Sequence, residues 1–394
     1  MTLKTIYALE EFPREGISSI FLAGPSPRQP KDGSAPTPSW RPEALRILHD
    51  LGYNGHVFIP EPRSGEWARS YTDQVEWEEK GLERADCVVF WIPREMGTMP
   101  ALTTNDEWGT WKESGKVVLG VPEGAPHTSY QKHYAGKYGV PQFKTLDETL
   151  VGAVIRLNKL DPTVRIDGEL AVPLHIWRAP AFQSWYGSLK EAGNVLVDAR
   201  VLRTFYVGPK KDFLFGFVLW ANVYITSENR NKTNEFYFAR PDISTIVLHG
   251  PVDPENPMAT EIILVREFRT PVNNPTGFVW EVAGGSSFKP GKDPLQVASE
   301  EVHEETGLSL DPSRFSFLEA RQMVATLSVH RAHAFKAVLT PEEIAGVKAT
   351  AGEVHGVAAD TERTYTEVRT LGQIMDEKTV DWSMVGMILR ALQG

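Results

Sequence analysis

The sequence predicts an α/β protein in two dissimilar parts: a parallel sheet covered by helices first, then a mixed sheet with much antiparallel strand. Three observations carry this expectation. At 394 residues the chain exceeds one ordinary core. Up to about Leu157, short apolar runs alternate with amphipathic stretches of helical spacing. Beyond about Asn194 the apolar runs lengthen and alternate in the manner of strands.

Taken in order, "SSIFLAG", "GHVFIPE", "DCVVFWIP" and "KVVLGVP" read as strands, and "WRPEALRILHDLG", "DQVEWEEKGLERA" and "NDEWGTWKESG" as the helices between them. Strands that are apolar throughout belong to a sheet buried on both faces, which is the flavodoxin- or Rossmann-like arrangement. Ligands of such sheets sit beyond the carboxyl ends of the strands. After "LVGAVIRLNKL" the polar, Pro- and Gly-punctuated "DPTVRIDGELAVPL" reads as a connector. "FGFVLWANVYIT", "ISTIVLHG" and "EIILVREF" then open the second architecture. The expected domains are 1–160 and 194–394, with a connector over 161–193.

A content of 41% hydrophobic and 23% charged residues describes a globular chain. The formal net charge of -10 argues against nucleic acid as a partner and leaves small phosphate-bearing molecules open. No run is long enough to span a bilayer, and the N-terminus lacks the apolar core of a signal peptide. The lone Cys87, inside "CVVFWIP", reads as a buried hydrophobe that can form no intrachain disulfide. Together these features predict a cytoplasmic protein.

Chemistry first shows in "ASEEVHEETG", which crowds Glu300, Glu301, Glu304 and Glu305 into one segment. Asp293 and Pro294 form a good helix start and Gly307 a natural stop. Leu295, Ala298 and Val302 make an inward stripe, while Glu301, Glu304 and Glu305 share another face. Their mutual repulsion, a few tenths of a kcal/mol per exposed pair, is reversed by a divalent cation. The order "VREFRTP", "WEVAGG", "EEVHEETGL" resembles the Nudix hydrolases, especially those acting on ADP-ribose-like diphosphates, over roughly Asn194 to the C-terminus.

That resemblance implies an α/β/α sandwich in which Glu301, Glu304 and Glu305 hold Mg²⁺ (or Mn²⁺), Glu304 is also catalytic, and Glu281 and Gly285 contact the substrate. Two positions depart from the family's usual motif: Glu300 stands where Arg is usual, and Lys292 where a glutamate is common. Glu362 and Glu367 are further acids without a defining spacing. His330 and His333 read as structural, since no metal-ligand spacing surrounds them.

The segment "TTNDEWGTWKESGK" permits two readings. In one, Thr104 or Asn105 caps a helix, Asp106 and Glu107 favour its positive end, and Trp108 and Trp111 pack inward. In the other, Glu107 lies near the carboxyl edge of the sheet, where a site is expected. "IFLAGPSPR", "SWRPEAL", "VFIPEP", "QVEWEEKGLERADCVVFWIPRE" and "TTNDEWG" together resemble the nucleoside 2-deoxyribosyltransferase-like family over about Ser18 to Val121.

By that resemblance Glu107 attacks the anomeric carbon of a nucleoside and displaces its base. The first loop, with Gly24, Pro25 and Arg28, could bring backbone N–H groups and a guanidinium to a ribose or phosphate; Arg41 and Arg94 read equally as phosphate partners or surface salt-bridge residues, and Glu76 and Asn105 are the other expected substrate contacts. One of Glu76 and Glu78 would reach the sugar or base, the other being solvated. Trp40, Trp77 and Trp91 either wall the base or belong to the core. Phe21 stands where the family's transferases carry a tyrosine. Both halves thus point to small-molecule nucleotides or nucleosides and to a bifunctional enzyme, with a nucleotide sensor as the alternative. The resemblance also allows a homo-oligomer with shared active sites.

Overall fold

The computed structural model describes residues 3–28, 37–65, 70–158, 163–208, 213–287, 291–356 and 363–393. Glu362, one of the additional acids, lies outside them. The chain divides into two compact units, Met1–Ala239 and Arg240–Gly394.

The first unit is built on β1 (Lys4–Tyr7), β2 (Glu15–Gly16), β3 (Ser19–Ala23), β4 (His56–Ile59), β5 (Cys87–Trp91), β6 (Val117–Gly120), β7 (Gln142–Phe143) and β8 (Arg165–Ile166). Six of these form one parallel sheet in the order β1-β4-β3-β5-β6-β7. Every residue of β3, β4, β5 and β6 is buried, as two covered faces require. The helices α1 (Arg41–Asp50), α2 (Tyr71–Arg84), α3 (Leu102–Trp111), α4 (Ser129–Lys137) and α5 (Leu146–Asn158) supply the covers. Trp77 of α2, Trp108 of α3 and Ala135 of α4 pack on Phe21, Val88, Phe90 and Leu119. On the other face α5 packs against α1, β5 and β6. The chain passes from β3 out to β4 and returns to β5 on β3's other side, so the order reverses between β3 and β5. The loops following those two strands flank the crevice where such sheets bind ligands.

The stretch read as a connector is structured from Thr163 onward. Asp86, at the start of β5, accepts hydrogen bonds from the Ser19 amide (2.8 Å), the Leu174 amide (2.8 Å) and the Arg165 guanidinium (2.6 Å). Arg165 is 1% exposed, so this buried pair fastens β8, α6 (Leu174–Trp177) and α7 (Pro180–Glu191) to the amino end of the sheet. Next come β9 (Val195–Val207), β10 (Phe213–Ile225) and β11 (Arg230–Ala239), an antiparallel sheet in the order β11-β10-β9. The sequence placed Asn194 at the start of the second domain. These strands instead lie with the first unit, where arginines of β9 pair with α2 and the turn after α3: Arg200 meets Glu83 at 2.7 Å and Arg203 meets Glu113 at 3.0 Å.

The second unit contains β12 (Ile243–His249), β13 (Glu261–Phe268), β14 (Phe278–Glu281), β15 (Ala283–Gly285), α8 (Pro294–Thr306), β16 (Ser316–Gln322), β17 (Arg331–Val338), α9 (Pro341–Ala349), β18 (Val354–His355), β19 (Thr364–Thr370), α10 (Leu371–Glu377) and α11 (Trp382–Leu392). Its mixed sheet runs β16-β17-β12-β13-β19-β18, with β14 on β13 and β15 on β12. The β12–β17 pair is parallel and the others are antiparallel. Ala298 and Val302 of α8 and Ile344 and Val347 of α9 fill one core cluster, and Ile374 of α10 and Ile388 of α11 fill another. Alternate residues of β12 feed the two clusters, Ile246 and Leu248 one and Val247 the other, so the sheet is sandwiched between helix layers. Among the described residues no helix is long and apolar enough to cross a membrane.

Candidate functional site

The loop after β3 begins at Gly24, whose φ of +147° and close approach to β5 leave no room for a side chain: a Cβ there would lie 2.2 Å from the Trp91 carbonyl oxygen. Pro25 is buried and accepts from the indole of Trp40 at 3.1 Å. Arg41, 1% exposed at the start of α1, braces this loop. It donates to the Leu22 (3.2 Å) and Gly24 (2.9 Å) carbonyls, to Ser26 Oγ (3.0 Å) and to Glu61 (2.5 Å). Its donors are therefore engaged in holding the loop rather than held out to a phosphate. Glu61, just past β4, also accepts from Ser39. Arg28 has an exposed side chain, and its amide donates to the Thr98 carbonyl at 2.8 Å.

Glu107 projects from the middle of α3 into a groove of about 580 Å³ that runs between α2 and α3 under β9, and Glu78 of α2 lines the same groove. Burial, then the like charge of Glu78, pushes the Glu107 carboxyl up to about 8, against the attraction of Arg41. Glu78 is raised as well, chiefly by burial, while a hydrogen bond from Gln74 and the charge of Arg41 oppose the shift. Two carboxyls near one buried guanidinium thus both resist ionisation, Glu107 enough to carry a proton near neutral pH.

The helix-cap reading of this segment is not what forms. α3 begins at Leu102 with Ala101 in the left-handed region as its N-cap and no side-chain cap, which places Thr104 and Asn105 within the helix. Asn105 joins a different cluster. Its carbonyl oxygen accepts from Arg94 (2.5 Å) and from Gln131 of α4 (2.7 Å), and Arg94 also donates to the His127 carbonyl (2.5 Å). Arg94 is buried by these bonds at the carboxyl edge of β5. Of Glu76 and Glu78 on α2, Glu76 is exposed and Glu78 reaches the groove. The helical phase explains this, since Gln74, Trp77, Glu78, Gly81 and Leu82 form one inward stripe. Trp40, Trp77 and Trp91 are all buried, and Phe21 is fully enclosed beside Trp77, so none of them walls the groove.

In the second unit α8 is capped as its sequence implies: Asp293 accepts from the Leu295 amide at 3.2 Å, and Gly307 ends the helix at φ +70°. The three glutamates of interest do not behave alike. Glu305 is 5% exposed and accepts from the Gly284 amide at 2.9 Å. Glu301 presses against Gly285, where a Cβ would lie 2.3 Å from its Oε1. Glu304 is exposed. Glu281, ending β14, pairs with Arg269 at 3.0 Å, and Arg269 also meets Glu267 at 2.9 Å.

Three carboxylates on one helix are hard oxygen donors of the kind Mg²⁺ selects. Among the described residues, however, no three Asp, Glu, His or Cys side chains are gathered as a ready metal cage. The departures at Lys292 and Glu300 turn out to be partners, since Lys292 donates to Glu300. His333 pairs with Asp242 at 3.2 Å and His330 with Ser328 at 2.5 Å, consistent with structural roles. Glu367 accepts from Trp280 and Arg369.

Comparison with known proteins adds one finding and one absence. No curated protein matches the chain. Residues 17–125, which span β3 through β6 and carry Gly24, Arg41, Glu61, Glu78, Arg94 and Glu107, match the family described as nucleoside 2-deoxyribosyltransferase like.

Proposed function

We propose that the first unit cleaves the N-glycosidic bond of a nucleoside or nucleotide, with Glu107 as nucleophile. The observation that carries this reading is the pair Glu107 and Glu78, two raised carboxyls lining one groove within the family-matched segment. A carboxylate oxygen of Glu107 attacks the anomeric carbon and forms an ester as the carbon–nitrogen bond breaks. Glu78, protonated, gives its proton to the departing base. Water, or a second base, then attacks the same carbon and restores the Glu107 carboxylate, Glu78 recovering the proton. Arg41 takes no part in bond making. It fixes the Gly24–Ser26 loop and tempers the repulsion between the two acids.

For the second unit the companion reading is hydrolysis of a nucleoside diphosphate derivative of the ADP-ribose type. Its support is the convergence of Glu301 and Glu305 on the Gly284–Gly285 strand beside α8. Glu301, Glu304 and Glu305 would hold Mg²⁺ or Mn²⁺, which supplies a water of lowered pKa and neutralises charge on the diphosphate. Arg269, placed among Glu267 and Glu281, sets the acidic side chains that face the substrate.

One experiment addresses both units. The purified protein is incubated with nucleosides, nucleotides, ADP-ribose and NAD, with and without Mg²⁺, and products are separated by chromatography. Released base and Mg²⁺-dependent monophosphate are expected. Tight binding measured by calorimetry with neither product would replace the enzyme by a nucleotide sensor.

A further inference from the structure

The groove beside Glu107 has an uneven charge pattern. Where β9 roofs it, acids are matched by cations: Glu83 pairs with Arg200 and Glu113 with Arg203. Around Glu107 they are not. Glu78, Asp106 and Glu107 line the groove without an ion pair among the described residues, and Arg41, the nearby cation acting on Glu78 and Glu107, is already bonded to Glu61. Lys116, which also lines the groove, is turned onto the Leu82, Glu83 and Ala85 carbonyls and the ring of Trp111, away from these acids. Tyr71, 72% exposed, adds an aromatic ring to the lining. Unmatched acids beside an exposed ring recognise a flat cation better than a neutral ring.

The nucleophile leads to the same conclusion. Burial and Glu78 keep Glu107 protonated near neutral pH, and a neutral ligand that displaced water would only deepen the penalty on its charged form. A positive charge at the glycosidic nitrogen reverses it, stabilising the Glu107 carboxylate at the moment it must attack.

We propose that this groove takes a nucleoside or nucleotide whose base is cationic at the glycosidic nitrogen, of the N-glycosyl pyridinium type; this rests on the glycosidic reading above. Attack by a Glu107 oxygen forms the carbon–oxygen bond, and the carbon–nitrogen pair moves onto the ring nitrogen and cancels its charge. The base leaves neutral and needs no proton. Glu78 is then free as a carboxylate to take a proton from the water that hydrolyses the ester.

The test uses the full-length protein with nicotinamide riboside and, as neutral-base counterparts on the same sugar, inosine and adenosine, following base release by chromatography. A kcat/KM at least tenfold higher for the pyridinium nucleoside is expected. Because pyridinium glycosides also part from their sugar more readily, charge recognition is measured separately by inhibition: the 1-methylnicotinamide cation should inhibit at a concentration at least fivefold below neutral nicotinamide. Equal inhibition by the two, or equal or slower cleavage of the pyridinium nucleoside, overturns the proposal while leaving the glycosidic reading intact. Base release from none of the nucleosides removes that reading and this inference with it.

Discussion

Glu107 and Glu305 are both enclosed glutamates, and they illustrate opposite uses of burial. Glu305 is satisfied: a backbone amide points at it from 2.9 Å, and Arg269 lies within electrostatic reach. Glu107 faces a groove with a second acid beside it, and its proton is held up to about 8. A carboxylate supplied with donors stabilises a fold, whereas one denied them stores a driving force that a substrate can release. On the proposed reading, the first unit would hold its reactive group ready in the structure described, whereas the second, with Glu304 exposed, would gather its acids around a bound cation.

The sharpest way to break the comparison is to remove one acid from each unit. Glu107→Gln should lower base release by about a thousandfold or more, since an amide cannot serve as nucleophile, and should leave Mg²⁺-dependent monophosphate release unchanged. Glu304→Gln should do the reverse. Loss of both activities through either change would contradict two separate sites.

The pH dependence comes next in size. For a neutral-base substrate, kcat/KM should rise about tenfold per pH unit on the acid side as the carboxyl of Glu107, held up to about 8, ionises, and should fall at higher pH as Glu78 loses the proton it donates. A base-release profile flat between pH 6 and 8 would show that Glu107 is already ionised when substrate arrives.

Much of this was legible in the chain because the signals were local. Both-face burial could be read from "CVVFW", and the start and stop of α8 from Asp293, Pro294 and Gly307. What escaped reading depended on phase or on distant partners. Glu76 and Glu78 look equivalent in "VEWEE", yet only Glu78 shares the stripe of Gln74 and Trp77. Glu61 was passed over because its role is fixed by Arg41, 20 residues away. The structured connector depends on Asp86 meeting Arg165 across 79 positions. Such contacts leave no periodic trace in the sequence.

A stability measurement sharpens the contrast further. A carboxyl whose proton is held more tightly in the folded chain than in the unfolded one costs nothing at pH 4, where both forms are protonated. The cost grows as pH rises, because the unfolded group ionises first, and is complete above about 8. Glu107→Gln should therefore stabilise the first unit by about 1–4 kcal/mol at pH 8 and by almost nothing at pH 4, as read from denaturant midpoints. Equal stabilisation at both values would mean that packing, not ionisation, separates the two side chains.

The smallest expected effect belongs to the Lys292–Glu300 ion pair in the second unit. Lys292 is 19% and Glu300 53% exposed, so solvent screens their attraction and the coupling should be only about 0.5 kcal/mol. Lys292→Glu alone sets two carboxylates against each other at the mouth of α8, and Glu300→Lys alone sets two ammonium groups together. Each should lower the melting temperature by a degree or two, and the double exchange should recover most of the loss. If the pair also orders the loop before α8, each single change should weaken Mg²⁺-dependent turnover more than stability, and the double exchange should restore both. Strictly additive losses would show that Lys292 and Glu300 act independently of one another.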